Sequence, residues 1–236
     1  MKIIHKIKKI ISGLGNNQRM IEFYKQFIGK NNLFFDIGAN VGDRTFVFRK
    51  IGVAVVAVEP QNKCAGILKK KFQKDSDVSI VQKGIGDKPG KMKINICSEA
   101  DTISTFSEQW KTESRFKNLS FDKTEEVQII TLEDLVVEYG IPDFCKIDVE
   151  GYELPVILGL KTKIPCISFE FTSEFIDITE DCLEALFEKG YTEFNYTKGE
   201  EMKLVLTGWL DKEKFVSILK DNILTDSDLW GDIYAK

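Results

Sequence analysis

Seven carboxylates in this chain fall at spacings that suit one shared site: Asp36, Glu59, Asp87, Asp148, Glu150, Glu153 and Glu170. Asp36 follows the apolar run Leu33-Phe34-Phe35, and Gly38 and Gly42 bracket a short turn after it. A strand that ends in a carboxylate and turns through glycines into a helix makes a ligand site. The glycines let the backbone turn tightly and a ligand approach, while the new helix presents unpaired N–H groups. Glu59 closes a second apolar run, 21 residues after Gly38. Its two oxygens suit the two hydroxyls of a ribose, and Asp87, after a third run, suits an adenine amino group. Gly38-Ala39-Asn40-Val41-Gly42 is G-x-x-x-G and lacks the G-x-G-x-x-G spacing that brings backbone close to a pyrophosphate. Asp36 adds a negative charge that would repel a pyrophosphate and attract a cation. Gly38, Asn40 and Gly42 with these acids therefore suit S-adenosylmethionine better than a dinucleotide.

The second cluster is Lys146-Ile147-Asp148-Val149-Glu150-Gly151-Tyr152-Glu153. On a strand Lys146, Asp148 and Glu150 point the same way, and Glu153 comes round in the next helical turn. Methyl transfer from a sulfonium to an alcohol is an in-line displacement, helped by positioning and by removal of the alcohol proton. The single histidine, His5, is far away in sequence, so a base is expected among Asp148, Glu150 and Glu153. Asp148 is expected nearest the methyl group, with Glu150 and Glu153 orienting the acceptor or each other. Lys146 reads either as part of this chemistry or as a structural ion pair. Glu170 either joins an acceptor pocket or anchors a neighbouring loop. Thr102, Ser104, Thr105 and Trp110 stand where a lid or acceptor loop would fall, and a hydroxyl-rich loop with an aromatic suits a sugar face or a solvated loop equally. Clustered carboxylates also suit Mg²⁺, although no metal is expected here.

Hydrophobic patterning indicates the elements that must hold these residues. Strands are expected at Leu33–Ile37, Val53–Val58, Val78–Ile85, Lys91–Cys97, Val127–Ile130, Phe144–Val149 and Cys166–Phe171. Near-continuous apolar runs are those of a parallel sheet covered on both faces. Helices are expected at Arg44–Lys50, Asn62–Gln73, Leu132–Tyr139, Tyr152–Leu160, Glu180–Lys189 and Lys212–Leu219, with Thr131 as an N-cap. Lys88-Pro89-Gly90 is read as a turn closing a hairpin between the third and fourth strands, and Thr192–Tyr196 with Lys203–Leu206 as a closing antiparallel pair. The alternation predicts an α/β fold, a Rossmann-like doubly wound, mostly parallel sheet with helices on both faces. One domain is expected: a helical extension over 1–30, a core over 31–209, and a C-terminal helix and tail over 210–236.

The chain of 236 residues is 43% hydrophobic with a net charge of −4, ample for one large core and without the basic excess of a nucleic-acid binder. Five scattered cysteines without a C-x-x-C pair read as reduced buried thiols, and a cytoplasmic protein is expected. Met1–Ser12 alternates isoleucines and lysines at helical spacing. It reads as a helix packed on the domain or one lying on an anionic membrane surface.

Four segments resemble the FkbM-type S-adenosylmethionine-dependent methyltransferases: Phe35–Gly42, Val58-Glu59-Pro60, Thr131-Leu132-Glu133-Asp134 and Lys146–Glu153. The resemblance covers roughly residues 31–171, and the Lys-Ile-Asp-Val-Glu-Gly-x-Glu segment is its most specific part. It implies methylation of a hydroxyl group, on a sugar or polyketide-like acceptor. Two other readings stand beside it. A nicotinamide-dependent oxidoreductase is weakened by the displaced glycine and by the lack of a catalytic His or Tyr-x-x-x-Lys pair. A non-catalytic cofactor-binding or membrane-surface protein would use the basic N-terminal segment.

Overall fold

A computed structural model describes residues 17–98 and 104–236. The amphipathic segment Met1–Ser12 and Thr102 lie outside the described residues. Residues 17–24 form the helix α1. Strand β1 (Leu33–Ile37), helix α2 (Asp43–Ile51), strand β2 (Ala54–Val58), helix α3 (Asn62–Phe72) and strand β3 (Val78–Val81) follow. After them come β4 (Gly84–Ile85), β5 (Gly90–Ile96), α4 (Glu108–Glu113), β6 (Lys123–Ile130), α5 (Leu132–Tyr139) and β7 (Phe144–Ile147). The chain closes with α6 (Glu153–Leu158), β8 (Cys166–Thr172), α7 (Ile176–Glu188), β9 (Phe194–Tyr196), α8 (Lys212–Thr225) and β10 (Trp230–Ala235).

The main sheet has seven strands in the order β3-β2-β1-β7-β8-β10-β9. All neighbours among β3, β2, β1, β7 and β8 are parallel, and β10 runs antiparallel to both β8 and β9. This is the expected Rossmann-like fold. Strand alternation divides the core into two layers. Phe35, Ile37, Val56, Ile147 and Phe169 face α5, α6, α7 and α8, whereas Phe34, Val55, Ala57, Phe144 and Tyr234 face α1, α2 and α3. β1 lies where the strand order switches, paired with β2 on one side and with β7, which the chain reaches only after β3 and the small sheet, on the other, so the crevice opens at the ends of β1 and β7.

Three strand expectations are corrected. The run Val78–Ile85 is two strands: β3 ends at Val81, and β4 belongs to a separate three-stranded sheet of order β4-β6-β5. The expected hairpin is absent, because β5 pairs antiparallel with β6 and β4 pairs parallel with β6. Residues 203–206 form no strand; β9 pairs instead with β10, the chain's own tail. The capping box at α5 is formed, with Thr131 and Asp134 exchanging side-chain and backbone bonds. The five cysteines are free and buried. No helix among the described residues is long and apolar enough to cross a membrane.

Candidate active site

The turn after β1 has an unusual backbone because it must reverse within five residues. Gly38, Asn40 and Gly42 have φ of 84°, 47° and 80°, which glycine adopts freely and asparagine more readily than most residues. At Gly38 a Cβ would sit 1.8 Å from the carbonyl oxygen of Asp148, so glycine is what lets the ends of β1 and β7 meet. The turn is also closed on itself. Gly38 and Ala39 donate their N–H groups to the Val58 carbonyl (3.0 and 2.9 Å), and Gly42 donates to the Ala39 carbonyl (2.8 Å). Asn40 donates its N–H to Glu59 Oε2 (2.9 Å), and Val41 donates to Asn40 Oδ1 (2.7 Å). All five N–H groups from Gly38 to Gly42 are thus taken.

A cavity of about 1110 Å³ opens at this turn. Asp36, Gly38, Asn40, Glu59, Ser104, Asp148, Glu150 and Glu170 line it, so eight of the expected site residues come together. Asp36 is buried and accepts a bond from the Thr45 hydroxyl at 2.5 Å. Burial pushes its carboxyl up, against that hydroxyl and the charge of Lys146. Glu59 is buried too; the N–H groups of Asn40 and Gln61 each hold one of its oxygens. Burial nevertheless raises it to about 7. Gly42 does not line the cavity; it caps α2, packed on Leu68 and Phe72.

Asp148, Glu150 and Glu170 bring carboxylate oxygens within 4.8 Å of one another, a hard-oxygen set of the kind that can hold a divalent cation. Burial, and then the charge of Asp148, push Glu150 and Glu170 well above the usual carboxylate range. Glu150, expected to extend the strand of Lys146 and Asp148, lies beyond the end of β7 in a left-handed turn, with φ of 55° at Glu150 and 85° at Gly151. The Thr105 hydroxyl donates to the Glu150 carbonyl at 2.5 Å.

Besides Gly42, four expected site residues have other positions. Asp87 is exposed on the turn between β4 and β5, away from the cavity. The reason is the sheet change after Val81: Lys83, Gly84 and Ile85 line the cavity where the expected third strand would have ended at Asp87. Thr105 is fully buried in a bridge to Asn95 on β5 and supports Glu150 without lining the cavity. Glu153 lies beneath the site, where Oε1 accepts the N–H groups of Val149 and Gly151 at 3.2 Å each; burial raises it to about 7. Lys146 is 1% exposed and forms an ion pair with Asp148, its Nζ 2.7 Å from Oδ2. Burial alone would lower Lys146, but the charges of Asp148 and Asp232 raise it well above its ordinary value.

The structure adds lining residues that the sequence reading missed. Arg44, at the start of α2, pairs with Glu200. Arg115 makes a two-point bond to Glu174 (2.8 and 2.7 Å), and Phe116, Leu119 and Trp230 join the already expected Trp110 in an apolar wall. Arg115, Phe116 and Leu119 follow shortly after Thr102, Ser104, Thr105 and Trp110, the residues that stand where an acceptor loop was expected. Trp230 and Glu200 carry no such local signal, since only the sheet order brings them here.

Among solved structures the chain is similar to precorrin-6y C5,15-methyltransferase from Geobacter metallireducens, at 11% identity over 92% of this chain and 86% of that one, TM-score 0.48. It is also similar to a TehB-like SAM-dependent methyltransferase from Corynebacterium glutamicum, at 10% identity over 92% and 87%, TM-score 0.46. A third is Aeropyrum pernix fibrillarin with natively bound S-adenosyl-L-methionine, at 10% over 86% and 65%, TM-score 0.44. No curated protein sequence matches the chain. Residues 36–193 match the model of the methyltransferase FkbM domain, a span that runs from the Asp36 turn through Asp148–Glu153 and Glu170. The chain belongs to the FkbM family of S-adenosylmethionine-dependent methyltransferases.

Proposed function

We propose that the protein transfers the methyl group of S-adenosylmethionine to a hydroxyl oxygen, on a sugar, glycoconjugate or polyketide-like acceptor. The observation that carries the cofactor half of this reading is the closed turn. With its five N–H groups engaged, it has none to cradle a pyrophosphate, the feature on which dinucleotide sites rely. It offers carboxylate oxygens in their place, Asp36 for a cationic amine and Glu59 for the ribose hydroxyls. The volume of about 1110 Å³ is at the upper end for one small ligand, which supports room for cofactor and acceptor together.

When bound, the cofactor supplies a sulfonium methyl open to in-line displacement. In this reading Asp148 faces that positive charge. Glu150 or Glu170, whose proton affinity burial has raised, takes the acceptor proton. Ser104 and the wall of Trp110, Phe116 and Trp230 hold the acceptor, polar on one side and apolar on the other. No divalent cation enters the scheme.

Calorimetry with S-adenosylmethionine, S-adenosylhomocysteine and NAD tests the cofactor. The first two are expected to bind and NAD is not; NAD binding of equal strength would overturn the reading. Glu59→Ala is expected to weaken S-adenosylmethionine binding about tenfold, the loss of one or two charge-assisted bonds, and unchanged affinity would remove the ribose role. With a labelled methyl donor and a panel of hydroxyl acceptors, Glu170→Gln is expected to leave cofactor affinity within about twofold, whereas Asp148→Asn, which removes the charge facing the sulfonium, is expected to weaken S-adenosylmethionine binding more than S-adenosylhomocysteine binding. Each should lower turnover by about 10²–10⁴-fold. Turnover abolished by a chelator and restored by Mg²⁺ would assign the carboxylates to a metal.

A further inference from the structure

Lys146 lies between two carboxylates, and only one of them reaches the cavity. Its Nζ is 2.7 Å from Asp148 Oδ2 and 3.6 Å from Asp232 Oδ1. Asp148 lines the cavity with 37% of its side chain exposed; Asp232, on β10, does not line it and is 6% exposed. Asp232 faces Glu170 across the β8–β10 pair, and the Tyr234 hydroxyl donates to its Oδ2 at 3.5 Å. A lysine paired with Asp148 alone would form a neutral couple, and Asp148 would add little to the negative field of the cavity. The second carboxylate changes that sum: one lysine and two aspartates leave a charge of −1.

We propose that Asp232 sets the charge that Asp148 presents to the cavity, by sharing Lys146 so that Lys146 does not cancel Asp148. Asp232 acts through Lys146 and touches no reactant; it is a positioning residue. The consequence is selective. A positive sulfonium gains from the residual negative charge, whereas the neutral thioether of the spent cofactor does not. The arrangement therefore favours binding of the methyl donor over its demethylated product. This rests on the reading of the cavity as a sulfonium site.

The test needs no acceptor. Calorimetry at pH 8 gives the ratio of affinities for S-adenosylmethionine and S-adenosylhomocysteine. Asp232→Asn, which keeps the shape and removes the charge, is expected to lower that ratio about fivefold, as for the loss of one unit charge near a partly wet site. Lys146→Gln combined with Asp232→Asn removes one charge of each sign and is expected to restore the wild-type ratio. A packing defect at β10 would weaken both ligands alike and would not be repaired by the second substitution. An unchanged ratio in Asp232→Asn, or a lowered ratio that the double variant fails to restore, would overturn the proposal. Should Asp232→Asn not fold, the double variant is compared with Asp148→Asn: a ratio like wild type supports the proposal and one like Asp148→Asn sinks it. If wild-type protein binds neither compound, the cofactor reading has failed and not the role of Asp232.

Discussion

Glu59 and Glu153 are both buried carboxylates held by backbone N–H groups, yet only Glu59 lines the cavity. Burial raises both from 4.5 to about 7. The sign of the consequence follows from proton binding. Between pH 4.5 and 7 the folded protein holds protons on these groups that the unfolded chain has released. The stability they contribute is complete below about pH 4.5 and is lost as pH rises through 7, on the order of 3 kcal/mol for each. Glu153 can be tested without disturbing the cavity, because a glutamine oxygen can still accept from Val149 and Gly151. Urea unfolding at pH 5 and pH 8 is expected to show a smaller loss of stability on raising the pH in Glu153→Gln than in wild type. Equal slopes would mean that Glu153 is not the group being ionised. The sequence pattern grouped Glu153 with the reacting acids, because spacing in strand and helix reveals direction but not depth. The left-handed residues Glu150 and Gly151 turn the chain so that Glu153 comes back beneath it.

At the scale of elements, the turn after β1 was the most legible part of the chain, since everything that specifies it is local: an apolar strand, two glycines and the start of a helix. The contact between Gly38 and the Asp148 carbonyl was not legible, for it joins residues 110 apart in the chain. Two glycines with similar backbone separate the two contributions. Gly38 has φ of 84° and a Cβ there would meet backbone at 1.8 Å, whereas Gly52 has φ of 99° and nothing within 4 Å. Gly52→Ala is expected to cost about 1 kcal/mol of backbone strain. Gly38→Ala adds a clash with backbone and is expected to cost about 3 kcal/mol or more, with loss of cofactor binding. Chemical denaturation checks both, and equal costs would show that β1 and β7 can separate freely. The third strand misled for the opposite reason. Val78–Val81 and Gly84–Ile85 are separated by Gln82 and Lys83 alone, too short a break to signal a change of sheet. Asp87 was misplaced with it.

At the scale of the molecule, the largest departure from the sequence reading concerns the last residues. The segment after 210 read as a helix and a tail outside the core, because a short strand with few local signals resembles an ordinary terminus. In the folded protein β10 lies between β8 and β9 and is paired with both. Ile233, Tyr234 and Ala235 are fully buried, and the Tyr234 ring stacks on Phe27 at 5.4 Å, which ties the N-terminal segment to the same strand. Removing β10 would leave β8 and β9 without a partner between them and open both core layers at once. It would also take away Asp232, the second carboxylate on Lys146. Deletion of residues 230–236 is therefore expected to abolish cooperative unfolding altogether, since edges left unpaired inside a sheet cannot be satisfied by water without losing the layers that cover them. Circular dichroism melting and calorimetry of the truncated chain give the comparison. A sigmoidal transition within a few degrees of the full-length protein would show that β9 can close directly on β8, and that the tail strand is an addition to a sheet already complete.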